Sequence, residues 1–413
     1  MANAKGFLDK DGGFGAIYDD IVFLSGARTP FGKFMGSLAY VKPTELAAIA
    51  SKEALIRSQV KPEQVDQVVF GNVYSSSADS LFLPRHVLLK CGIPFTRPAS
   101  LVQRICGTGF EVIIQGAEQM ALGKANVVMV GGAENMTLVP TASYGGRMGH
   151  DLGRTGFVDV LWDALLDTHC GFSMGQTSDN LSKKYGITRQ AADEFALLSQ
   201  KRAADAMKGG RLTPEIVPVV GSREIRVNNK TKQLAEDEYP RPDTTIEKLT
   251  SLSPVFNKDG VSTAGNSSGI VDGAAAMVMT TGAVAKANGW KPIGRLVASA
   301  TGGVEPQIMG IGPVKAVRLL EQHAGAKVGQ FDLVEINEAF SAQYLAVEKE
   351  LGLDRNKTNV NGGAIALGHP LAATGTRLTT SILMELKRRN MRQGLVSACI
   401  GGGQGTALMV ESI

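Results

Sequence analysis

Residues 99–135, ASLVQRICGTGFEVIIQGAEQMALGKANVVMVGGAEN, decide both the fold and the chemistry of this chain. Ser100–Ile105 is short, mostly apolar and rich in β-branched residues, which predicts the end of a strand. A buried helix is predicted next, from apolar and small residues that recur at helical spacing: Phe110, Ile113, Ile114, Ala117, Met120 and Ala121. Gly123 is placed to end that helix. Val127–Val130 is a continuous apolar run, typical of a strand covered on both faces.

Cys106 therefore lies where a strand gives way to a helix. Unpaired backbone N–H groups and the positive end of the helix dipole favour a thiolate over a thiol at such a position. Gly107 and Gly109 leave room for a substrate to approach the sulfur. We interpret Cys106 as a nucleophile. On this stretch alone, a small buried core residue remains the alternative.

Composition excludes several classes of protein. With 413 residues, 44% hydrophobic and 20% charged, the chain is typical of a globular protein of two or three domains. Its net charge of +4 is small and its charges are interleaved, which argues against nucleic acid as the main partner. No apolar run is long enough to cross a bilayer. Four widely spaced cysteines without a CxxC predict reduced thiols, a cytoplasmic location and no metal site.

Strand and helix patterns alternate along the chain, which predicts an α/β fold with helices on the faces of a sheet. VDQVVFGNVY at 65–74 resembles FDLVEINEAF at 331–340, an offset of 266 residues (331 minus 65). VVMVGGAE at 127–134 resembles LVSACIGGG at 395–403, an offset of 268 residues (395 minus 127). Two matches at nearly one offset, in the same order, predict two copies of one fold. A site is expected between the copies.

The repeat suggests a division into domains. Residues 1–17 are small, polar and Gly-rich, and we expect a flexible leader there. Residues 18–137 together with 271–290 are expected to form the N-terminal domain, and residues 291–413 the C-terminal domain. Residues 138–270 carry many charges and little strand pattern, which predicts a long insertion with a functional role.

The C-terminal half carries a second group of chemically active residues. Asn337 directly follows a predicted strand, His369 lies in the Gly- and Ala-rich stretch NGGAIALGHPLAATG, and Cys399 ends a buried strand before GGGQG. GGGQG is too close to the end of the sequence for a dinucleotide-binding unit, and its N–H groups are better suited to a developing negative charge. With Cys106, these residues predict a nucleophile, an activating base and a second thiol for proton transfer. A turn histidine and a buried strand cysteine remain the alternatives.

From about residue 18 onward the chain resembles the thiolases, the family of 3-ketoacyl-CoA thiolase and acetyl-CoA acetyltransferase. The motifs that carry the resemblance are CGTG, GGAENM, TAGNSSG at 263–269, NEAF, GHP at 368–370 and CIGGGQG. The resemblance implies a duplicated, five-layered α-β-α-β-α fold whose inserted loop domain, 138–270, covers CoA and shapes the acyl pocket. It also implies CoA as a substrate rather than a permanent cofactor, and a homo-oligomer, a dimer or a homotetramer.

The resemblance also implies roles for the catalytic residues. Cys106 is expected to be acylated, and His369 to activate it and to face the thioester oxygen. Cys399 is expected to exchange a proton with C2 of the acetyl group. Asn337 is expected to hold a water in a first oxyanion hole beside His369. The backbone N–H groups of Cys106 and Gly401 are expected to form a second hole.

Further residues match positions that contact the substrate. Those expected to bind CoA or to line the acyl pocket are Ser268, Arg241, Thr244, Phe256, Met309, Met174 and Ser173. Ser268 would meet the pantetheine arm, and Arg241 and Thr244 the nucleotide end. Ser173 stands where short-chain biosynthetic thiolases carry a histidine. We therefore expect several chain lengths to be accepted, as in mitochondrial-type 3-ketoacyl-CoA thiolases.

The implied activity is that of an acyltransferase of fatty acid metabolism, including β-oxidation. It would cleave 3-ketoacyl-CoA with CoA, or condense two acetyl-CoA molecules to acetoacetyl-CoA, through an acyl-cysteine. One alternative is a decarboxylating or HMG-type condensing enzyme of the same superfamily, against which Cys399 argues. The other is a non-catalytic acyl-CoA carrier, against which the intact set of Cys106, His369 and Cys399 argues.

Overall fold

A computed structural model describes residues 3–153, 156–221 and 233–413. The strands of this part are β1 (Asn3–Leu8), β2 (Phe14–Arg28), β3 (Gly32–Lys33), β4 (Gln67–Gly71), β5 (Ala99–Val102), β6 (Val127–Glu134), β7 (Thr141–Ala142), β8 (Val158–Asp159), β9 (Leu166–Asp167), β10 (Phe172–Ser173), β11 (Val219–Val220), β12 (Gln233–Leu234), β13 (Val271–Thr281), β14 (Gly294–Gly303), β15 (Leu333–Ile336), β16 (Gln393–Ile400) and β17 (Gln404–Ser412). Its helices are α1 (Pro43–Ser58), α2 (Leu83–Lys90), α3 (Thr108–Ala121), α4 (Val160–Asp163), α5 (Met174–Tyr185), α6 (Arg189–Lys208), α7 (Ile246–Thr250), α8 (Gly282–Asn288), α9 (Gly312–Ala324), α10 (Ser341–Leu351), α11 (Ala364–Leu367) and α12 (Leu371–Arg389).

One mixed sheet of eleven strands runs through the described residues in the order β15-β16-β17-β14-β2-β13-β6-β4-β5, with β1 beside β2 and β3 beside β13. β2 and β14 pair antiparallel and join its two halves. Outward from that pair, each half repeats the same pattern: an antiparallel strand (β13 or β17), then two strands parallel to each other (β6 and β4, or β16 and β15). The predicted duplication of an α/β unit is confirmed.

Helices cover both halves of the sheet and separate them. α1 packs on the outer face of the first half, and α9 on the outer face of the second. α3 and α12 pack on each other and lie between the halves, which gives five layers, α-β-α-β-α, as predicted. β13 is apolar throughout because its successive side chains point alternately into two different cores. Ala276 and Val278 belong to the core beneath α1, whereas Met277 and Met279 face the central helices.

The two central helices approach each other backbone to backbone. A Cβ atom on Gly375 of α12 would lie 2.3 Å from the backbone nitrogen of Phe110 in α3, and one on Gly109 would lie 2.6 Å from the nitrogen of Gly375. Only glycine fits at such a crossing. Because Cys106 and His369 directly precede these two helices, the crossing also sets the relative position of their side chains.

The N-terminal segment differs from the prediction. β1 pairs antiparallel with Phe14–Asp19 of β2, and the ring of Phe7 stacks on that of His323 with centroids 4.1 Å apart. The Nε2 atom of His323 lies 3.2 Å from a carboxylate oxygen of Asp9. The expectation of a flexible leader over residues 1–17 is therefore wrong for residues 3–17. Its polar, Gly-rich composition conceals a hairpin, because backbone pairing with β2 supplies the contacts that its side chains lack.

Between β6 and β13 the chain leaves the large sheet. The strands of the described part of this segment are two residues long, and α5 and α6 pack against α10 of the second half. The segment thereby carries its side chains over one end of the central helices. The domain boundaries 18–137, 138–270, 271–290 and 291–413 stay a prediction. In the described residues no helix is both long and apolar enough to span a membrane.

Candidate active site

Cys106 lies in a single 3₁₀ turn, Ile105–Gly107, between β5 and α3. Ile105 has a φ of +46°, which is costly for a β-branched residue and must be held by its surroundings. The Thr108 hydroxyl holds it, because its Oγ1 accepts the N–H of Arg104 at 2.8 Å and donates to the carbonyl of Ile105 at 2.7 Å. The strained turn therefore fixes the thiol at the start of the helix.

The Cys106 thiol is protonated at rest, contrary to the expected thiolate. Burial raises its pKa to about 11, although the backbone N–H groups of Gly401 and of Cys106 itself lower it. Burial disfavours the charged sulfur more than the helix start favours it. The nucleophile consequently needs a base. The same two N–H groups face the sulfur, as a hole for an oxyanion bound to it requires.

His369 lies between α11 and α12 and is nearly fully buried. Its backbone N–H donates to the carbonyl of Gly269 at 3.0 Å. In its ring, Nδ1 lies 2.6 Å from Oγ1 of Thr374, and Nε2 lies 3.3 Å from Nδ2 of Asn337. Burial, together with the positive charge of Arg377, lowers the pKa of the imidazole to about 3. His369 is therefore neutral and able to accept a proton.

Asn337 and Cys399 lie at the same edge of the sheet. β15 and β16 are parallel neighbours in register, so both strands end there. The backbone N–H of Asn337 donates to the carbonyl of Ser397 at 2.9 Å, and its side-chain Oδ1 has no partner among the described residues. Cys399 is fully buried and packs with Met309 and Phe340. Burial, and then the neighbouring Cys106, raises the pKa of Cys399.

A cavity of about 540 Å³ opens onto this cluster, and Cys106 and His369 both line it. Six of the predicted substrate residues line it as well: Ser268, Arg241, Phe256, Met309, Met174 and Ser173. Cys399 is not part of its lining, but Met309 and Phe340, which pack on Cys399, are. Eight predicted residues (Cys106, His369 and these six) thus line one apolar cavity of the size used for small ligands, and Cys399 lies behind its wall.

Thr244 lies outside the main cavity. It lines an adjacent pocket of about 180 Å³ with Arg241 and Lys248, and its Oγ1 donates to the carbonyl of Arg241 at 2.7 Å. A third pocket, of about 290 Å³, lies between Lys33 and Arg241. Arg241 is common to all three pockets, and its guanidinium stands 5.1 Å from the ring centroid of Tyr239.

Ser173 also caps a helix, which its predicted role in specificity did not include. Its Oγ accepts the N–H of Gln176 at 3.4 Å, and its own N–H donates to Oε1 of Gln176 at 2.8 Å. This reciprocal capping box begins α5. A substitution at Ser173 therefore changes the cavity wall and the start of the helix together.

Among the described residues, no group of three or more His, Cys, Asp or Glu is arranged to hold a metal ion.

The chain matches two family models, "Thiolase, N-terminal domain" over residues 21–283 and "Thiolase, C-terminal domain" over residues 290–412. The chain belongs to the thiolase family. It is 43% identical over 401 residues to the mitochondrial 3-ketoacyl-CoA thiolase of Homo sapiens, covering 96% of this chain and 99% of that protein. It is 42% identical over 393 residues to the acetyl-CoA acetyltransferase of Cupriavidus necator, covering 95% and 99%.

The fold agrees with solved thiolases. The human mitochondrial 3-ketoacyl-CoA thiolase in complex with CoA superposes with a TM-score of 0.91 at 42% identity, covering 95% of this chain and 98% of that chain. The acetyl-CoA acetyltransferase of Bacillus anthracis gives the same TM-score at 42% identity, covering 95% and 99%. The hairpin of β1 and the first part of β2 lies before residue 21, outside the range that the thiolase family model matches.

Several residues of this thiolase site were not predicted from the sequence. Thr374 contacts the His369 ring, and Tyr239, Phe340 and Leu371 line the cavity. Thr374 lies five residues after the histidine, at the start of a helix, and this spacing is the signal that could have found it. The aromatic and aliphatic lining residues have no such signal, because their types are those of any apolar core.

Proposed function

We propose that this thiolase cleaves 3-ketoacyl-CoA with CoA to acyl-CoA and acetyl-CoA, and in reverse condenses two acetyl-CoA molecules to acetoacetyl-CoA. The protein is an acyltransferase, and an acyl group on Cys106 links its two half-reactions. One observation carries the proposal: a protonated thiol and a neutral imidazole share one cavity, and a second thiol lies directly behind its wall.

Cleavage begins with the attack of Cys106 on C3 of the 3-ketoacyl group. Nε2 of His369 takes the thiol proton as the C–S bond forms, and the N–H groups of Cys106 and Gly401 stabilise the oxyanion. The C2–C3 bond then breaks, and the imidazolium and a water held by Asn337 stabilise the enolate oxygen of the departing acetyl-CoA. Cys399 gives its proton to C2. Its raised pKa suits this step, because the thiol is protonated beforehand.

Transfer of the acyl group to CoA restores the resting state. The thiolate left on Cys399 takes the proton of the incoming CoA thiol, whose sulfur attacks the acyl carbonyl on Cys106. Cys106 then leaves and receives the proton that His369 holds. Each enzyme group thereby regains its starting protonation state, and the net transfer moves the CoA thiol proton to C2 of acetyl-CoA. The same residues can therefore run the sequence backwards, and Cys399 then removes the proton from C2 of acetyl-CoA.

The first experiment follows the acyl-enzyme. Incubation with radiolabelled acetyl-CoA is expected to place one label on Cys106, and Cys106→Ser is expected to carry none. Cys399→Ala is the matched control, because it keeps the nucleophile and should retain the label while losing cleavage of acetoacetyl-CoA. Full turnover by Cys106→Ser, or a label on another residue, would contradict the mechanism.

CoA acts as a substrate rather than as a resident cofactor in this proposal. Ser268 would contact the pantetheine arm inside the cavity, and Arg241 and Thr244 the nucleotide end at its mouth. The position of Arg241 at the junction of three pockets supports this assignment, since a phosphate-bearing ligand there meets a fixed cation. The solved human relative is described as a complex with CoA.

Chain length would be set by Phe256, Met309, Met174 and Ser173, which line the cavity. We expect several chain lengths to be accepted. A series of 3-ketoacyl-CoA substrates with Ser173→His tests this, and the variant should lose the longer substrates first. Ser173→Ala loses the same helix cap without filling the cavity and serves as the control. An unchanged profile in Ser173→His would refute the role of Ser173 in specificity.

Neither alternative activity is favoured. A decarboxylating or HMG-type condensing enzyme pairs its cysteine with two histidines or with a histidine and a glutamate. In the described lining of the cavity, His369 is the only imidazole and no glutamate is present. Cys399 lies behind the wall instead. A non-catalytic carrier would need neither a neutral buried base nor a second buried thiol. Turnover of acetoacetyl-CoA with CoA separates a carrier from a thiolase.

We also propose a homotetramer. β5 forms an edge of the large sheet, and Leu101 on it is exposed, as are the nearby Phe82 and Phe95. An apolar free edge favours pairing with a second copy. A second apolar surface of the insertion would join two such dimers, and its exposed residues are Tyr144, Met148, Leu152 and Phe157. Light scattering should find a tetramer for the parent and dimers for Met148→Asp. A parent that is monomeric or dimeric would overturn the proposal.

The cytoplasmic location remains a proposal. Cys91, Cys106, Cys170 and Cys399 are all unpaired, which supports a reducing compartment. Similar proteins include both mitochondrial and bacterial enzymes. Fractionation of cells that express the tagged full-length chain tests the location, and enrichment in an organelle would contradict it.

A further inference from the structure

We propose that Thr374 is a positioning residue that holds His369 in the tautomer with its proton on Nδ1. In this tautomer Nε2 carries a lone pair, as the base that takes the proton of Cys106 must. This inference rests on the proposed function, in which His369 is the base. Thr374 itself touches neither reacting carbon. It acts only through the imidazole, whose Nδ1 lies 2.6 Å from its hydroxyl oxygen.

The hydroxyl proton of Thr374 has an acceptor other than the imidazole. The carbonyl of Pro370, the residue just before α12, lies 3.1 Å from its Oγ1. A hydroxyl has one proton to donate and two lone pairs to accept with. With the hydroxyl proton directed to Pro370, the short contact with His369 uses a lone pair of the threonine, and Nδ1 is the donor that carries the ring proton.

The other side of the ring requires the same tautomer. Nδ2 of Asn337 lies 3.3 Å from Nε2 of His369, and an amide nitrogen can only donate. Nε2 must then accept, which it does only without a proton. With the Asn337 amide in this orientation, both partners, on opposite nitrogens and on different elements of the fold, favour the same tautomer. The hydrogen bond at one ring nitrogen decides which chemistry the other can perform.

Burial leaves the ring no charged alternative in the resting enzyme. His369 is 5% exposed and Thr374 is fully buried, and Arg377, one turn further along α12, is also buried. The nearby guanidinium opposes an imidazolium at His369. The ring therefore exists as one of two neutral tautomers. Only the tautomer protonated on Nδ1 can deprotonate the thiol, so the choice between them controls the rate.

The hydroxyl is held rigidly at this spot. Thr374 lies in the first turn of α12, next to Gly375, whose Cα packs against the backbone of α3. Neither the helix nor the side chain can shift without moving the crossing of the two central helices. Serine preserves the hydroxyl at this position, and valine preserves the shape of the threonine but has no group that accepts a proton from Nδ1.

The experiment compares Thr374→Val, Thr374→Ser and Thr379→Val with the parent. Thr379 lies on the same helix, is fully buried and makes only the equivalent backbone bond, Oγ1 to the carbonyl of Gly375 at 2.8 Å. Thr379→Val therefore removes a hydroxyl with an equivalent backbone hydrogen bond, but one that has no contact with His369. The measurements are kcat and KM for acetoacetyl-CoA cleavage, and the rate at which iodoacetamide alkylates Cys106 at neutral pH.

Thr374→Val is expected to lower kcat about 10- to 100-fold, by analogy with the loss seen when the outer-shell partner of a metal-ligating histidine is removed, with KM for CoA little changed. Alkylation of Cys106 should slow in parallel. Thr374→Ser should stay within about 3-fold of the parent, and Thr379→Val should match it. Equal losses in Thr374→Val and Thr379→Val, or an active Thr374→Val, would overturn the inference. A parent without thiolase turnover would instead overturn the proposed function.

Discussion

Replacing Gly375 with alanine tests whether the crossing of α3 and α12 positions the catalytic residues. The added Cβ would lie 2.3 Å from the backbone nitrogen of Phe110 and 2.5 Å from the carbonyl carbon of Gly109. Both are backbone atoms of α3, so no side-chain rotation relieves the clash. An ordinary contact begins at 3.4 Å, and the two helices must therefore separate by about 1 Å, the difference between 3.4 and 2.3 Å.

Two opposing effects set the change in the free energy of unfolding. Alanine in place of glycine inside a helix stabilises it by about 1 kcal/mol. Overpacking a tight core costs about 1–3 kcal/mol. Because the clash is with backbone, we take the upper end of that range, which leaves a net loss of about 2 kcal/mol. Activity should suffer more, since a displacement of about 1 Å at a catalytic geometry can cost about 100-fold in rate.

Urea denaturation and the rate of acetoacetyl-CoA cleavage provide the assay. Gly329→Ala is the matched control, because a Cβ atom there meets nothing within 4 Å. The control should keep the stability and the activity of the parent. Gly375→Ala should be less stable and slower by about two orders of magnitude. A Gly375→Ala enzyme with the stability and rate of the parent would refute the idea that this crossing sets the site.

Three further predictions concern other parts of the site. Burial raises the pKa of Glu134 to about 8, so the folded state binds its proton more tightly and loses stability as pH rises from about 4.5 to 8. Glu134→Gln should reduce this loss, as urea denaturation across that range would show, and the remainder comes from other buried carboxyl groups such as Asp272 and Glu335, whose pKa burial also raises. Arg28 binds both carboxylate oxygens of Asp237, at 2.6 and 2.8 Å, just before the segment that carries Arg241. Since lysine keeps the charge but not the paired geometry, Arg28→Lys should raise KM for CoA about 10-fold while lowering kcat less; an unchanged KM would argue against this anchoring. Cys399→Ser should block hydrogen–deuterium exchange at C2 of acetyl-CoA, measured by mass spectrometry, and exchange at the parent's rate would exclude Cys399 as the proton carrier.

Sequence patterns determined the fold of this protein almost completely. The 266- and 268-residue offsets predicted the duplication, because strands buried on both faces keep a recognisable apolar run even after their sequences diverge. The family was identified from short motifs around Cys106, His369 and Cys399. The combination of two cysteines and one histidine in Gly-rich motifs is a pattern that few other chemistries require. The N-terminal hairpin escaped prediction, since backbone pairing forms it and composition does not report backbone pairing.

The tertiary structure alone decided the protonation states and partners of the site residues. A helix start predicts a thiolate at Cys106, but the depth of burial, which the sequence does not record, reverses that preference. Thr374 is recognised as a positioning residue only in the structure, where its hydroxyl lies beside Nδ1 of His369. Local sequence determines which chemical groups are present. Solvent exclusion and contacts between distant segments determine the charge and orientation of those groups. Both arise only in the folded chain, where the two halves pack on the central helices.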